Sequence, residues 1–211
     1  MKVAPSILAA DPLNMGCDVQ RMVDAGTDWL HVDIMDAHFV PNLSFSPALT
    51  EALHKRFPAL PLDVHLMMDN PEKYIDTFID AGASVLTIHA EIPGDVAALL
   101  DHIRSRGVKS SLSIKPATQV KDIAHLLPPA DMVLVMTVAP GFGGQKFNAD
   151  MMEKLTALRE MGYTGLLEAD GGVSMGNATT LRAHGLDVAV MGTAMFGSPD
   201  PKRDMDAIHA M

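Results

Sequence analysis

Eight short apolar runs, each ending in polar residues or glycine, alternate along 211 residues with eight stretches of helical spacing. That alternation predicts an α/β protein folded as a single-domain (β/α)8 TIM barrel over residues 1–211. An open doubly wound sheet would show the same alternation, but its usual glycine-rich turn after the first strand is missing from Ser6-Ile7-Leu8-Ala9-Ala10-Asp11. The barrel is therefore preferred.

The expected strands are Val3–Leu8, Trp29–Asp33, Leu62–Met67, Val85–His89, Ser110–Ile114, Met132–Met136, Leu166–Ala169 and Val188–Met191. The first is followed by helical spacing over Asn14–Ala25, which Gly26 ends. The second leads to Pro47–Arg56, with proline where a first helical turn tolerates it. The third leads to Pro71–Ala81, placed for capping by Asn70 and closed by Gly82. Asp95–Arg106 follows the fourth and ends at Gly107. Val120–Leu127, after the fifth, is the shortest expected helix. Asp150–Met161, Asn177–His184 and Lys202–His209 complete the series, with Gly162 and Gly185 as stops.

Composition narrows the function. Hydrophobic residues make up 48% of the chain and charged residues 20%, enough for one sizeable core. Asp and Glu outnumber Lys and Arg by 26 to 16, a net charge of -10 that disfavours nucleic-acid backbones. A phosphorylated small molecule is compatible only with a local site that overrides this field. The single cysteine, Cys17, forms no internal disulfide, no apolar run reaches membrane-spanning length, and the N-terminus shows no cleavable signal. A cytoplasmic protein without a membrane or nucleic-acid partner is expected.

Chemistry in a barrel gathers where the C-terminal ends of the strands converge. Ionisable groups stand there at His31-Val32-Asp33, Asp63-Val64-His65, His89 and Asp170. Strand alternation puts His31 and Asp33 on one face. One such group is ordinarily a hydrogen-bonded structural residue. Two histidines and two carboxylates from neighbouring ends make a candidate divalent-metal site, with zinc, iron, manganese and cobalt all open. Glycines follow the last three strands, in Gly141-Phe142-Gly143-Gly144, Gly171-Gly172 and Gly192-Thr193. Any single pair serves a tight turn. Three such loops together suggest backbone N–H groups cradling a phosphate. Met35, Met67 and Met136 lie at or just past strand ends, either as core filler or as an apolar wall over a reacting centre.

These residues carry a resemblance that spans nearly the whole chain. Pro5-Ser6-Ile7-Leu8, His31 through Asn42, Asp63-Val64-His65-Leu66-Met67, Lys115-Pro116-Ala117-Thr118, Val135 through Phe147 and Ala169 through Val173 resemble the ribulose-phosphate 3-epimerase family. The resemblance implies interconversion of D-ribulose 5-phosphate and D-xylulose 5-phosphate by inversion at C3, through a cis-enediolate. It implies one divalent metal ion, zinc or ferrous iron ahead of manganese or cobalt, held by His31, Asp33, His65 and Asp170. Asp33 and Asp170 become the paired acid/base groups on opposite faces of the sugar. Ser6, His65 and Asp170 become substrate contacts, and Gly141, Phe142, Gly143, Gly144, Gly171, Gly172, Gly192 and Thr193 hold the phosphate end. Met35, Met67 and Met136 crowd the intermediate. Homo-oligomers are common in the family.

Departures from the family pattern bear on the substrate. Asp36-Ala37 stands for Asp-Gly, so no positive φ is expected at that turn. Phe45-Ser46-Pro47 looks closer to D-allulose-6-phosphate 3-epimerase, which makes a hexulose phosphate the alternative substrate. Thr193 replaces a common serine, and Lys115 stands where asparagine is frequent. A phosphate-binding barrel without catalysis, a metal-free decarboxylase and a Schiff-base aldolase are the remaining readings, with Lys115 as the aldolase's candidate lysine.

Overall fold

The computed structural model describes residues 1–211. Eight strands form one parallel sheet in the order β1-β8-β7-β6-β5-β4-β3-β2. They are β1 (Lys2–Ala4), β2 (Leu30–Met35), β3 (Leu62–Met67), β4 (Ala83–His89), β5 (Lys109–Ile114), β6 (Met132–Met136), β7 (Leu166–Asp170) and β8 (Val188–Val190). The seam between β1 and β2 is joined by an isolated bridge, Ser6 to His31, where the His31 N–H donates to the Pro5 carbonyl at 3.0 Å. This is the expected (β/α)8 barrel.

β1 is shorter than the apolar run Val3–Leu8 because Pro5 has no N–H for a ladder, and Ile7–Ala9 turns into a 3-10 segment. The helices are α1 (Met15–Asp24), α2 (Pro47–Arg56), α3 (Ile75–Asp80), α4 (Val96–Ser105), α5 (Met152–Glu160), α6 (Met175–Ala183), a short α7 (Thr193–Phe196) and α8 (Pro201–His209). The stretch expected to be helical over Val120–Leu127 is instead a 3-10 helix, Val120–Leu126, cut off by Pro128-Pro129. Asn70 precedes a 3-10 turn at Pro71–Lys73 and makes no side-chain cap, contrary to expectation. Gly26, Gly82, Gly107, Gly162 and Gly185 all take positive φ at helix ends, as their positions predict.

Two-residue alternation sorts every strand into an outward and an inward row. Leu30, Val32 and Ile34, Leu62, Val64 and Leu66, Leu86 and Ile88, and Val133 and Val135 belong to the main aliphatic core, beneath the helices. The inward row differs. Trp29, Val85, Met132 and Val188 form a separate apolar plug with Ala4 and Val190. Further inward positions carry His31, Asp33, Asp63, His65, Thr87, His89, Ser111, Ser113 and Glu168, all buried, with Met35, Met67 and Met136 nearer the mouth. Aliphatic packing outside therefore holds a rigid frame for polar groups inside.

Candidate active site

β2 and β3 pair in a register that sets His31 opposite Asp63 and Asp33 opposite His65. Asp33 Oδ1 stands 3.2 Å from His31 Nε2 and 3.2 Å from His65 Nδ1. Asp170, at the end of β7, completes the group. One donor atom from each of His31, Asp33, His65 and Asp170 lies within 4.8 Å of the others. The four residues expected to share a metal are thus brought together. His89 is not among them. Its Nε2 faces His65 Nε2 at 2.8 Å, behind the cluster.

Hydrogen bonds fix what the cluster offers. His31 Nδ1 donates to Asp63 Oδ2 at 2.6 Å, so Nε2 is the nitrogen turned toward Asp33, protonated in the free site and able to ligate once that proton is lost. Lone pairs on imidazole and carboxylate that converge on one point repel unless a cation lies among them. Titration behaviour registers that demand. Burial opposes charge on His31, yet the Asp33 and Asp63 carboxylates hold its ring protonated well above the ordinary histidine range. Burial likewise opposes ionisation of Asp33, but His31 and His65 pull its carboxyl well below the usual value. Burial and the neighbouring Asp33 charge push Asp170 up to about 6. This donor set, two imidazoles and two carboxyls, fits a divalent cation and can hold a metal ion.

Behind Asp63 lies Glu168, fully buried on β7. Both Glu168 oxygens and Asp63 Oδ1 lack partners if both groups are ionised. Burial and the Asp63 charge raise Glu168 well above the ordinary glutamate range, which favours its neutral form beside Asp63. Asp63 Oδ2 in turn accepts from His31 and orients its ring.

Above the cluster opens a cavity of about 250 Å³. Asp33 and Asp170 reach it, together with Ser6, Met35, Met67 and Met136; Ser6 Oγ donates to Asp33 Oδ2 at 2.6 Å. The other end is lined by Gly141, Phe142, Gly143, Gly144, Gly171, Gly172, Gly192 and Thr193. His31 and His65 are fully buried below the cavity floor. Gly172 has φ +65, and a Cβ there would sit 2.6 Å from the Phe147 backbone nitrogen. No side chain fits without moving that loop. Asn42 Nδ2 donates to the Gly141 carbonyl at 2.7 Å, and Gln145 Nε2 donates to the Ala139 and Phe142 carbonyls at 2.8 Å. The loop following β6 is thereby braced from both sides.

One expectation about this rim fails. Ala37 has φ +64, although a non-glycine residue there had suggested an ordinary turn. The conformation is imposed by its surroundings: Asp36 Oδ1 accepts from the His38 and Phe39 N–H groups, and the Ala37 N–H donates to the Asn42 carbonyl. Ser46 and Lys115 do not line the cavity. Ser46 begins α2, and Lys115 Nζ rests 3.6 Å from the centre of the Phe39 ring. Glu168 and Glu91 are polar participants that the strand-end reading did not name, and Asp63 was named there without a place among the metal or substrate groups. Each had a legible signal, since each sits two residues from another ionisable group in Asp63-Val64-His65, Glu168-Ala169-Asp170 and His89-Ala90-Glu91.

Comparison with known proteins agrees with this geometry. The chain is 45% identical over 198 residues to the ribulose-phosphate 3-epimerase of Rhodobacter capsulatus, covering 93% of this chain and 86% of that one. It is 41% identical over 212 residues to the ribulose-phosphate 3-epimerase, cytoplasmic isoform, of Oryza sativa subsp. japonica, covering 98% and 92%. The crystal structure of 3-hexulose-6-phosphate synthase from Salmonella typhimurium superposes with a TM-score of 0.72 over 100% of this chain and 97% of that one, at 19% identity. That likeness reports the barrel alone. Residues 2–196 match the ribulose-phosphate 3 epimerase family. With identities above 40% across nearly its whole length, the chain belongs to the ribulose-phosphate 3-epimerase family of enzymes.

Proposed function

We propose that this protein inverts C3 of a phosphorylated ketose, interconverting D-ribulose 5-phosphate and D-xylulose 5-phosphate. The observation that carries the reading is that two carboxyls of unequal basicity, Asp33 on β2 and Asp170 on β7, open onto one cavity. Inversion next to a ketone removes a proton from one face of the sugar and returns one to the other, so a single carboxylate cannot serve both steps. Asp33, held ionised by its histidines, is equipped to accept the proton. Asp170, pushed up to about 6 by burial and by Asp33, is the more basic of the two and is equipped to exchange a proton at the other face. The two exchange roles in the reverse direction.

His31, Asp33, His65 and Asp170 would hold one divalent metal ion, zinc or ferrous iron. When bound, it would supply Lewis-acid stabilisation of the negative charge that develops on the sugar oxygens. Met35, Met67 and Met136 crowd the reacting carbons, excluding water without adding a proton donor. Ser6 orients the Asp33 carboxyl through its hydrogen bond. The glycine loops and Thr193 would take the phosphate on backbone N–H groups, consistent with a binding site in an otherwise acidic protein. Similarity to the cytoplasmic isoform of rice supports a cytoplasmic location, and a homo-oligomer completes the reading.

Turnover measured side by side on D-ribulose 5-phosphate and D-allulose 6-phosphate tests the substrate. Preference for the pentulose phosphate is expected. Preference for the hexulose phosphate would transfer the same chemistry to the longer sugar, and turnover of neither would remove the reading.

A further inference from the structure

His89 and Glu91 have no part in the chemistry above, yet both are bonded into the site from behind. His89 is fully buried, with Phe39 tilted over its ring at a centroid separation of 4.6 Å. Its Nδ1 lies 3.1 Å from Glu91 Oε2, and its Nε2 lies 2.8 Å from His65 Nε2. The other Glu91 oxygen, Oε1, accepts from the Lys115 N–H at 2.7 Å and from the Thr118 hydroxyl. Glu91 is thus tied to the loop following β5 and cannot rotate away from His89.

The direction of each bond follows from donor inventory. An ionised Glu91 only accepts, so His89 Nδ1 carries the hydrogen. At 2.8 Å one hydrogen must lie between His89 Nε2 and His65 Nε2, and a His65 that ligates through Nδ1 carries its single hydrogen on Nε2. That hydrogen belongs to His65, whose Nδ1 is therefore left with its lone pair pointing at Asp33 Oδ1, 3.2 Å away. We propose that Glu91 and His89 form a two-member positioning relay that locks His65 in the Nε2–H tautomer and aims its Nδ1 at the metal position. His31 gets the same service in one step from Asp63. His65 gets it in two, through an intervening ring.

The inference rests on the metal site of the proposed function, but not on the identity of the sugar. Its test is the Zn(II) dissociation constant of the apoprotein, read by competition with a chromophoric chelator and supported by the visible spectrum of the Co(II)-loaded protein. His89→Leu keeps bulk and removes the acceptor. It is expected to weaken Zn(II) binding by about 10–100-fold, the range for an outer partner of a ligating histidine, and to alter the Co(II) spectrum. The apoprotein should melt no lower than that of His89→Gln. His89→Gln restores an acceptor oxygen and should recover most of the affinity, while Glu91→Gln should fall between the two.

If His89 were only core filler, His89→Leu would bind Zn(II) within twofold of the unmodified protein, with an unchanged Co(II) spectrum. Either that result or failure of His89→Gln to recover affinity would overturn the relay. An unmodified protein that takes up no Zn(II) would overturn it too. A protein that binds Zn(II), shows the predicted order of affinities and turns over no ketose phosphate would instead refute the proposed function and leave the relay standing.

Discussion

The two halves of the barrel mouth are built on opposite principles. The β2–β4 side presents side chains: His31, Asp33, His65 and, behind them, Asp63 and His89, each buried and each hydrogen-bonded to the next. The β6–β8 side, Asp170 excepted, presents mostly backbone, in loops whose glycines keep Cβ atoms out of the cavity. A side-chain wall offers a few strong donors in set geometry and is vulnerable to removal of any one of them. A backbone wall contributes weaker groups in greater number and is vulnerable to addition, since one methyl group displaces a loop. Division of labour follows, with the ionisable wall suited to proton and metal chemistry and the glycine wall suited to holding an anion without adding cationic side chains.

The contrast is tested most severely by removing charge from the ionisable wall. Asp33→Asn and Asp170→Asn should each lower kcat by about 10²–10⁴-fold, in both directions, with the far-ultraviolet circular dichroism unchanged. Near-normal turnover in either variant would take that residue out of the mechanism.

Removing the metal strikes the same wall and should be as severe. Chelation should abolish turnover and divalent metal should restore it. Binding also competes with protons, which gives the affinity a predictable pH dependence. Asp170 titrates at about 6 in the free site, so below that pH it must lose a proton to bind metal. Apparent affinity should then fall by about tenfold per pH unit on this account alone. His31, held protonated well above the usual range, extends the competition to higher pH. Affinity should therefore rise with pH across this interval, and a calorimetric titration in buffers of different ionisation enthalpy should detect proton release. A pH-independent affinity would mean that these groups are not the ligands.

On the glycine wall the expected damage is different in kind. A methyl at Gly172 meets the Phe147 nitrogen at 2.6 Å, so Gly172→Ala should displace that loop, destabilise the fold by about 1–3 kcal/mol and raise KM more than it lowers kcat. A fall in kcat alone would place Gly172 with the ionisable wall instead. The smallest effect belongs to Ala37, which holds φ +64. Relief of about 1–2 kcal/mol of steric cost, set against about 0.4–1 kcal/mol of added chain entropy, predicts that Ala37→Gly stabilises the protein by about 0.5 kcal/mol without altering turnover. Thermal melting measures it, and a lowered Tm would show that the turn tolerates alanine without strain.

Alternation of apolar runs and helical stretches was enough to specify the barrel, because both periods are local properties of the chain. Helix ends were equally legible where glycine reached positive φ, and His31, Asp33, His65 and Asp170 were marked by their position at strand ends. Val120–Leu126 was misread because two following prolines outweighed its spacing. Ala37 was misread because a turn held by long-range bonds can force a residue where local preference would not send it.

Sequence alone therefore determined most of the secondary elements, the parallel topology and the placing of His31, Asp33, His65 and Asp170 at the mouth, since these follow from periodicity and strand direction. Tertiary structure alone decided which nitrogen of each histidine faces the cluster, which aspartate is the more basic, and that Glu91, Glu168 and Asp63 stand behind those groups. Hydrogen-bond direction and carboxyl ionisation depend on distances of a few ångströms between residues far apart in the chain, and only the closed sheet sets those distances.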